Sequence, residues 1–432
     1  MERFFQLRQN GTTIRTEILA GLTTFMTMAY ILVVNPAILG KDGGMDLGAV
    51  FVATALSSAL GSLLMGLLAN YPVALAPGMG LNAYFTYTVV LGMGVPWQTA
   101  LGAVFISGFL FLLLTVTKVR ETIINAIPTG MKHAVSGGIG LFIAFVGLKN
   151  AGIIVANEAT LVGLNANLAD ANVLLTFFGL IVTIFFLVRK VRGGIFYAML
   201  ITAVVGMITG VVPLPKGIVS APPSIAPTFL QLDILDALNM GLFTIIFAFL
   251  FVDLFDNTGT LVGVTNQAGI LKDGKLPRAG RALTADALAS MGGSLLGTST
   301  VTSYIESSAG VAAGGRTGLT AVATAGFFVL SIFFFPVVET VAGTAAITSP
   351  ALIVVGVMMA ASLKEIEWKE MAEAIPAFLT MMLMPLTFSI ATGIALGFIA
   401  YPLAKLFAGQ GRQVHPVMYV LGVLFVLRFI FL

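Results

Sequence analysis

Between Asp46 and Lys118 the chain carries no Asp, Glu, Lys or Arg. At about 20 residues for each helix that spans a bilayer, that interval holds three crossings rather than one. The pattern extends along the chain: of 432 residues, 58% are hydrophobic and 9% charged, a balance that no soluble surface of this size tolerates. The chain therefore reads as an all-α polytopic membrane protein. Its apolar runs are continuous rather than alternating, which sets aside an outer-membrane barrel. The 48 glycines suit helices that pack closely or break inside a membrane. With no cysteine, neither a disulfide framework nor a thiolate metal site is available. The net charge of +3 is accounted for by topology, so no nucleic-acid partner is expected. Residues 1–16 are polar, contain Arg and run into an apolar segment without a small-residue cleavage site, so no cleavable signal peptide is expected.

Apolar runs between charges and turn signals predict about fourteen crossings, at 17–37, 49–70, 73–92, 97–117, 129–148, 171–188, 194–213, 238–263, 282–298, 301–315, 317–337, 347–363, 373–388 and 389–408. A last run, His415 to Leu432, either lies against the bundle or along the membrane surface. With a cytoplasmic N-terminus, the inner segments collect most of the basic residues, among them Arg3, Arg15, Lys118, Arg120, Lys132, Lys190, Lys272, Lys275, Arg316 and Lys405. The outer segments receive Lys41, Lys149 and Lys216. That asymmetry places both ends of the fourteen-helix body in the cytoplasm.

Two crossings read as broken. The third contains "YPVALAPGMGLNAYF", where Pro72, Pro77, Gly78 and Gly80 interrupt a continuous helix. The tenth contains "GTSTVTSYIESSAGVAAGG", whose Thr/Ser/Val start favours extended backbone before small residues resume a helix. They occupy matching places in two seven-helix halves, and because seven is odd the second half enters the membrane inverted. Interrupted helices at matching places in inverted halves point to a transporter's central binding site. The competing reading is that Gly and Pro merely ease packing.

The acids singled out within crossings are Asp253 and Asp256 in "FLFVDLFDNTGTL" and Glu306 in the tenth. Each costs about 2.5 to 3.5 kcal/mol at mid-bilayer, and no Lys, Arg or His shares their crossings. Such carboxyls fit a role in carrying a proton or a cation. Asp256 belongs to the more polar cluster with Asn257, Thr258, Gly259 and Thr260 and is preferred over Asp253, for which a capping or interhelical bond is the plainer reading. Asn82 offers a donor and an acceptor just after the break in the third crossing, against a plain interhelical bond. Tyr84, Tyr304, Phe25 and Phe251 are candidates for a flat stacking wall, although each alone reads as packing. His133, beside Lys132, reads as interfacial, and His415 lies in a loop. Carboxyls, an amide, hydroxyls and backbone N–H groups without Lys or Arg suit a neutral planar molecule carrying both donors and acceptors; a bare cation also fits. No enzyme motif is present: the glycine-rich stretches lie inside apolar crossings, and Glu306 to Ser308 lack a His or Lys base.

The motifs "TEILAGLTTFMTMAYILVVNP", "APGMGLNAYF", "FVDLFDNTGTL", "KLPRAGRAL" and "GTSTVTSYIESSAGVAAGGRTG" strongly resemble the hypoxanthine/guanine/adenine permeases, the AzgA-like branch of the nucleobase:cation symporters in the xanthine/uracil permease superfamily. The resemblance covers essentially the whole chain. It implies the uracil-permease-type fold, with fourteen segments in two inverted seven-helix repeats and a short strand followed by a half-helix in segments 3 and 10. It further implies a core domain from residues 1–128 and 238–337 and a gate domain from 129–237 and 338–432. The family's substrate residues fall on Glu306, Asp256 and Asn82, with Gly80 in the same turn. Uracil permeases carry a histidine four residues after the eighth-segment acid; here that place is Thr260, which leaves the proton route less defined. The implied activity is proton-coupled uptake of hypoxanthine, guanine or adenine across the cytoplasmic membrane, with H+ as coupling ion, no cofactor, no metal, and Asp256, Glu306 and Asp253 as coupling candidates. Relatives by fold make a homodimer through the gate helices plausible. The rival is an anion exchanger or channel on the same scaffold, since fold does not fix cargo.

Overall fold

The computed structural model describes residues 2–117, 126–238, 242–270 and 276–431, without the side chains of Arg3, Phe255, Asp256, Thr258, Arg428 and Phe431. Lys118, Arg120, Lys272 and Lys275 lie outside the described residues. Among the described residues, nine helical runs are long and apolar enough to cross a bilayer, from Ile14–Asp42 to Ile390–Phe407. Shorter apolar helices include Gly194–Ile208 and Met371–Leu386. The run after His415 forms the helix Pro416–Phe431, which packs against Ile390–Phe407.

Both segments expected to be broken contain strands. Pro72 and Pro77 supply no N–H, which weakens any helix through this stretch. The chain instead extends as β1 (Leu75–Pro77), then enters a helix at Met79–Ala83 that continues as a wider π-helical stretch, Tyr84–Gly92. An exposed hairpin, β2 (Ile154–Asn157) and β3 (Leu161–Leu164), sits between the helices Thr129–Asn150 and Ala171–Val188. Its turn forms because Asn157 Oδ1 accepts from the N–H groups of Ala159 and Thr160. The tenth segment holds β4 (Val301–Ser303) and the short helix Ser307–Ala312.

β1 and β4 pair antiparallel, Leu75 opposite Ser303, Ala76 opposite Thr302 and Pro77 opposite Val301. The ladder extends at both ends, with Gly78 N–H donating to Thr300 O (2.9 Å) and Tyr304 N–H to Ala74 O (3.0 Å). Hydroxyls hold the outer edges. Ser62, on the helix Leu47–Leu64, contacts both the N–H and the C=O of Leu75 (3.0 and 3.2 Å), and Ser290, on the helix Ala279–Leu296, donates to Val301 O (2.8 Å). Unpaired backbone at this depth would cost several kcal/mol per group, so two interrupted segments are tolerated because each completes the other.

The helix Leu47–Leu64 packs on Ala279–Leu296 and Gly318–Ser331, and Ile14–Met28 packs on Gly318–Ser331 and the short helix Ser307–Ala312. Elsewhere Thr129–Asn150 packs along Ala345–Ala360 and Met371–Leu386. Its approach to Ala345–Ala360 is a glycine contact: a Cβ on Gly140 would lie 2.6 Å from Gly356 O, and one on Gly356 would lie 2.4 Å from Gly140 O.

The inventory of acids needs a correction. Glu17 and Asp286 also fall inside expected crossings, and both are fully buried. Glu17 accepts from the N–H groups of Arg316 (2.9 Å), Thr317 (3.3 Å) and Thr320 (3.0 Å) and from the Thr320 hydroxyl (2.6 Å), capping the start of the helix Gly318–Ser331. Glu373 and Lys405 form an ion pair at 2.7 Å, with Tyr401 O–H donating to the same carboxylate oxygen at 3.1 Å.

Candidate functional site

The β1–β4 junction forms one wall of a cavity of about 300 Å³. Gly78, Met79 and Gly80 enter it from the third segment, and Thr302 to Glu306 from the tenth. Thr260 faces it from the helix Phe243–Gln267, Ser136 from Thr129–Asn150, and Met358, Met359 and Ser362 from the end of Ala345–Ala360 and the turn that follows. The expected residues Gly80, Thr260, Tyr304 and Glu306 therefore meet in one place. Glu306 stands where β4 gives way to the helix Ser307–Ala312, with its side chain partly open to the cavity. Tyr304 is 6% exposed, and its hydroxyl donates to Pro77 O, tying the tenth segment to the end of β1.

Glycine at position 80 is required by a close approach. A Cβ there would fall 2.6 Å from Ile139 Cγ2, so the half-helix Met79–Ala83 touches Thr129–Asn150 through its backbone. A second cavity, of about 460 Å³, shares Ser136, Thr260, Ile305, Met359 and Ser362 with the first and runs on to Thr129, Lys132 and His133. On the opposite side, Tyr87 O–H donates to Asp42 Oδ2 at 2.6 Å, and Asn150 Nδ2 reaches Asp42 Oδ2 at 3.2 Å and the Tyr87 oxygen at 2.9 Å. Lys41 Nζ donates to Gly343 O at 2.8 Å, and the Thr88 hydroxyl to Phe388 O at 2.9 Å.

Asn82 and Asp253 are not among the described residues that line these cavities. Asn82 is fully buried; its side-chain amide turns back toward Pro77 O at 3.4 Å, and its Oδ1 has no hydrogen-bond partner among the described residues. Asp253 is 1% exposed within the helix Phe243–Gln267 and faces no cavity described here, while the Asp256 side chain lies outside the described residues. Its neighbour Asn257 is fully buried, with neither end of its amide paired among the described residues. The expected aromatic wall reduces to Tyr304. Tyr84 packs edge-on against Phe249 (4.9 Å), Phe251 packs on Phe247 and Phe398, and Phe25 lines a separate, almost wholly apolar cavity of about 530 Å³. Tyr84 and Phe251 pack between helices, as an isolated aromatic in an apolar run usually does.

Sequence reasoning missed Tyr30, whose hydroxyl donates to Glu306 Oε1 at 2.7 Å from the cavity wall. The signal was present: a tyrosine in mid-membrane needs a partner for its O–H. Ser136 and Ser362 carried no such signal, because small hydroxyl residues in glycine-rich helices equally serve packing.

A helical membrane protein whose cavity is walled by two interrupted segments, with a carboxylate at the break, has the architecture of a solute transporter. The chain belongs to the Permease family, which it matches over residues 15–396, and it is a permease rather than an enzyme. It is 54% identical to the guanine/hypoxanthine permease PbuG of Bacillus subtilis over 442 residues, covering 100% of both chains. It is 48% identical to the adenine permease AdeP of Escherichia coli over 438 residues, 100% of this chain and 96% of that one. The transmembrane domain of the cyanobacterial bicarbonate transporter BicA superposes with a TM-score of 0.67 at 14% identity, covering 88% of this chain and 97% of the other. That likeness shows a shared fold and leaves the cargo to the site.

Proposed function

We propose that the protein takes up purine bases, hypoxanthine, guanine or adenine, together with a proton across the cytoplasmic membrane, by alternating access of a core against a gate. The observation that carries this reading is the Glu306 carboxylate at the rim of a cavity shaped by Gly80, Thr260 and Tyr304, with no Lys or Arg among the described residues of its wall. Such a lining accepts the N–H groups of a neutral heterocycle and disfavours an anion. The names of the half-identical relatives support purines as the class of cargo.

In this reading Glu306 accepts N–H groups from the purine edge, the Tyr304 ring and the Gly80 backbone bound its faces, and Thr260 supplies a hydroxyl. Asn82 acts from behind, supporting the end of β1. Asp256 exchanges the proton, with Asp253 next in line; the buried amide of Asn257 beside it has no hydrogen-bond partner among the described residues, which marks a polar spot there. The core comprises 1–128 and 238–337, and the gate 129–237 and 338–432. With the N-terminus in the cytoplasm, the cavity reaching Lys132 opens inward, and the Asp42, Tyr87 and Asn150 contacts shut the outer side. An inward-negative potential of about 100 mV then adds about 2.3 kcal/mol per transported positive charge.

Reconstitution in vesicles tests the reading. Radiolabelled hypoxanthine, guanine and adenine are expected to accumulate when an inward proton gradient is imposed, and Glu306→Gln is expected to abolish this. Equal uptake with and without the gradient removes proton coupling, and chloride or bicarbonate flux insensitive to purines replaces the cargo.

A further inference from the structure

The C-terminal end of the first membrane segment grips the glutamate from two sides. The helix Ile14–Met28 stops at Ala29 and Tyr30 before the chain resumes as Ile31–Asn35, so Tyr30 sits at a joint rather than within a regular helix. Its ring is 1% exposed, and its hydroxyl donates to Glu306 Oε1 at 2.7 Å. One turn earlier the Thr27 hydroxyl reaches the backbone carbonyl of Glu306 at 3.4 Å. The helix that carries Glu306 lies tight on the same element: a Cβ on Gly310 would fall 2.7 Å from Ala20 O, against backbone that cannot yield. The carboxylate is thus held by Tyr30, 276 positions away in sequence, and the backbone beside it by Thr27, 279 positions away; Tyr30 itself forms part of the cavity wall.

We propose that Tyr30 is a positioning residue of the cargo site. It fixes the direction in which the Glu306 carboxylate faces the cavity, and its ring borders the bound base. A carboxylate free to rotate would lose orientation on each encounter, and this loss is felt in binding more than in the later movement of the domains. The inference rests on the purine-uptake reading and deepens it.

Tyr30→Phe removes the hydroxyl and keeps the ring. In proteoliposomes the KM for hypoxanthine is expected to rise about five- to tenfold with the maximal rate within about twofold of the parent, because a single charge-assisted hydrogen bond is lost while packing stays. A purely structural role would instead lower the amount of folded protein and leave KM alone. The chain lacks cysteine, so Tyr30→Cys supplies a second measurement: a small maleimide should label it, and saturating hypoxanthine should slow labelling at least fivefold. Normal uptake by the parent with an unchanged KM in Tyr30→Phe, or labelling of Tyr30→Cys indifferent to hypoxanthine, overturns the inference and leaves the purine reading standing. If the parent accumulates no purine, the reading fails and takes this inference with it.

Discussion

Gly80→Ala adds a single methyl group where the half-helix Met79–Ala83 meets Thr129–Asn150. The new Cβ would lie 2.6 Å from Ile139 Cγ2, well inside the 3.4 Å at which ordinary contact begins. Ile139 is 2% exposed, and its helix has no room to retreat, since Gly140 is already pressed on the backbone of Gly356. Overpacking of this kind costs about 1 to 3 kcal/mol, which shifts the equilibrium against the present arrangement by about 5- to 150-fold. If core and gate slide at this contact, the initial rate of hypoxanthine uptake per folded protein should fall by a similar factor. Ile139→Ala removes the colliding methyl, so the double variant Gly80→Ala/Ile139→Ala should transport faster than Gly80→Ala even though the new cavity lowers thermal stability. The measurement is initial-rate uptake in vesicles, normalised to monodisperse protein. Parent-like uptake by Gly80→Ala, or a double variant no faster than the single, would refute the claim that backbone proximity at this point limits transport.

Tyr87→Phe removes the donor to Asp42 and should loosen the side of the protein remote from Lys132; a Ser136→Cys reporter in the cavity is expected to react with an impermeant maleimide added outside about tenfold faster than in the Tyr87 parent, and an unchanged rate counts against an outer closure there. Glu17→Gln puts an amide N–H₂ among four donors, so the melting temperature in detergent should drop by several degrees, as expected for a loss of about 2 to 4 kcal/mol, while the KM of the folded fraction stays put; an unaltered melting temperature would show that the cap is dispensable. Lys405→Met leaves Glu373 without its cationic partner and should destabilise more than Lys405→Met/Glu373→Leu, a comparison read by thermal unfolding and contradicted if the double variant is the less stable.

The breaks in segments 3 and 10 were legible because they rest on local chemistry: prolines without N–H groups, glycines, and a Thr/Ser/Val run. Glu306 was legible for a related reason, since an acid in hydrocarbon demands an explanation wherever its partners lie. What the partners are was hidden. Tyr30 lies 276 positions from Glu306, and nothing local to either distinguishes that pairing from any other. A comparable distance hid the role of Glu17, which stands in the first turn of one helix and is fully buried as the cap of another. For Asn82, sequence spacing gives proximity to a break without the direction of the side chain. Gly80 lines the cavity, whereas the Asn82 amide is turned toward Pro77 O.

The pairing of β1 with β4 explains why the cargo site lies where it does. A strand inside a bilayer is admissible only if its N–H and C=O groups find partners, and three-residue strands cannot do this alone. Ser62 and Ser290 answer one edge of each strand, and the strands answer each other on the inner edge. This closes most of the backbone account and leaves the ends, where Gly78 and Glu306 begin new helices beside the cavity. The interruption therefore cannot be moved in one half without opening polar groups in the other. A carboxylate from the second half and a glycine turn from the first are in this way held to a single geometry by hydrogen bonds as well as by close packing. Small hydrophobic substitutions on the outer faces of these helices should consequently be tolerated far better than loss of either serine.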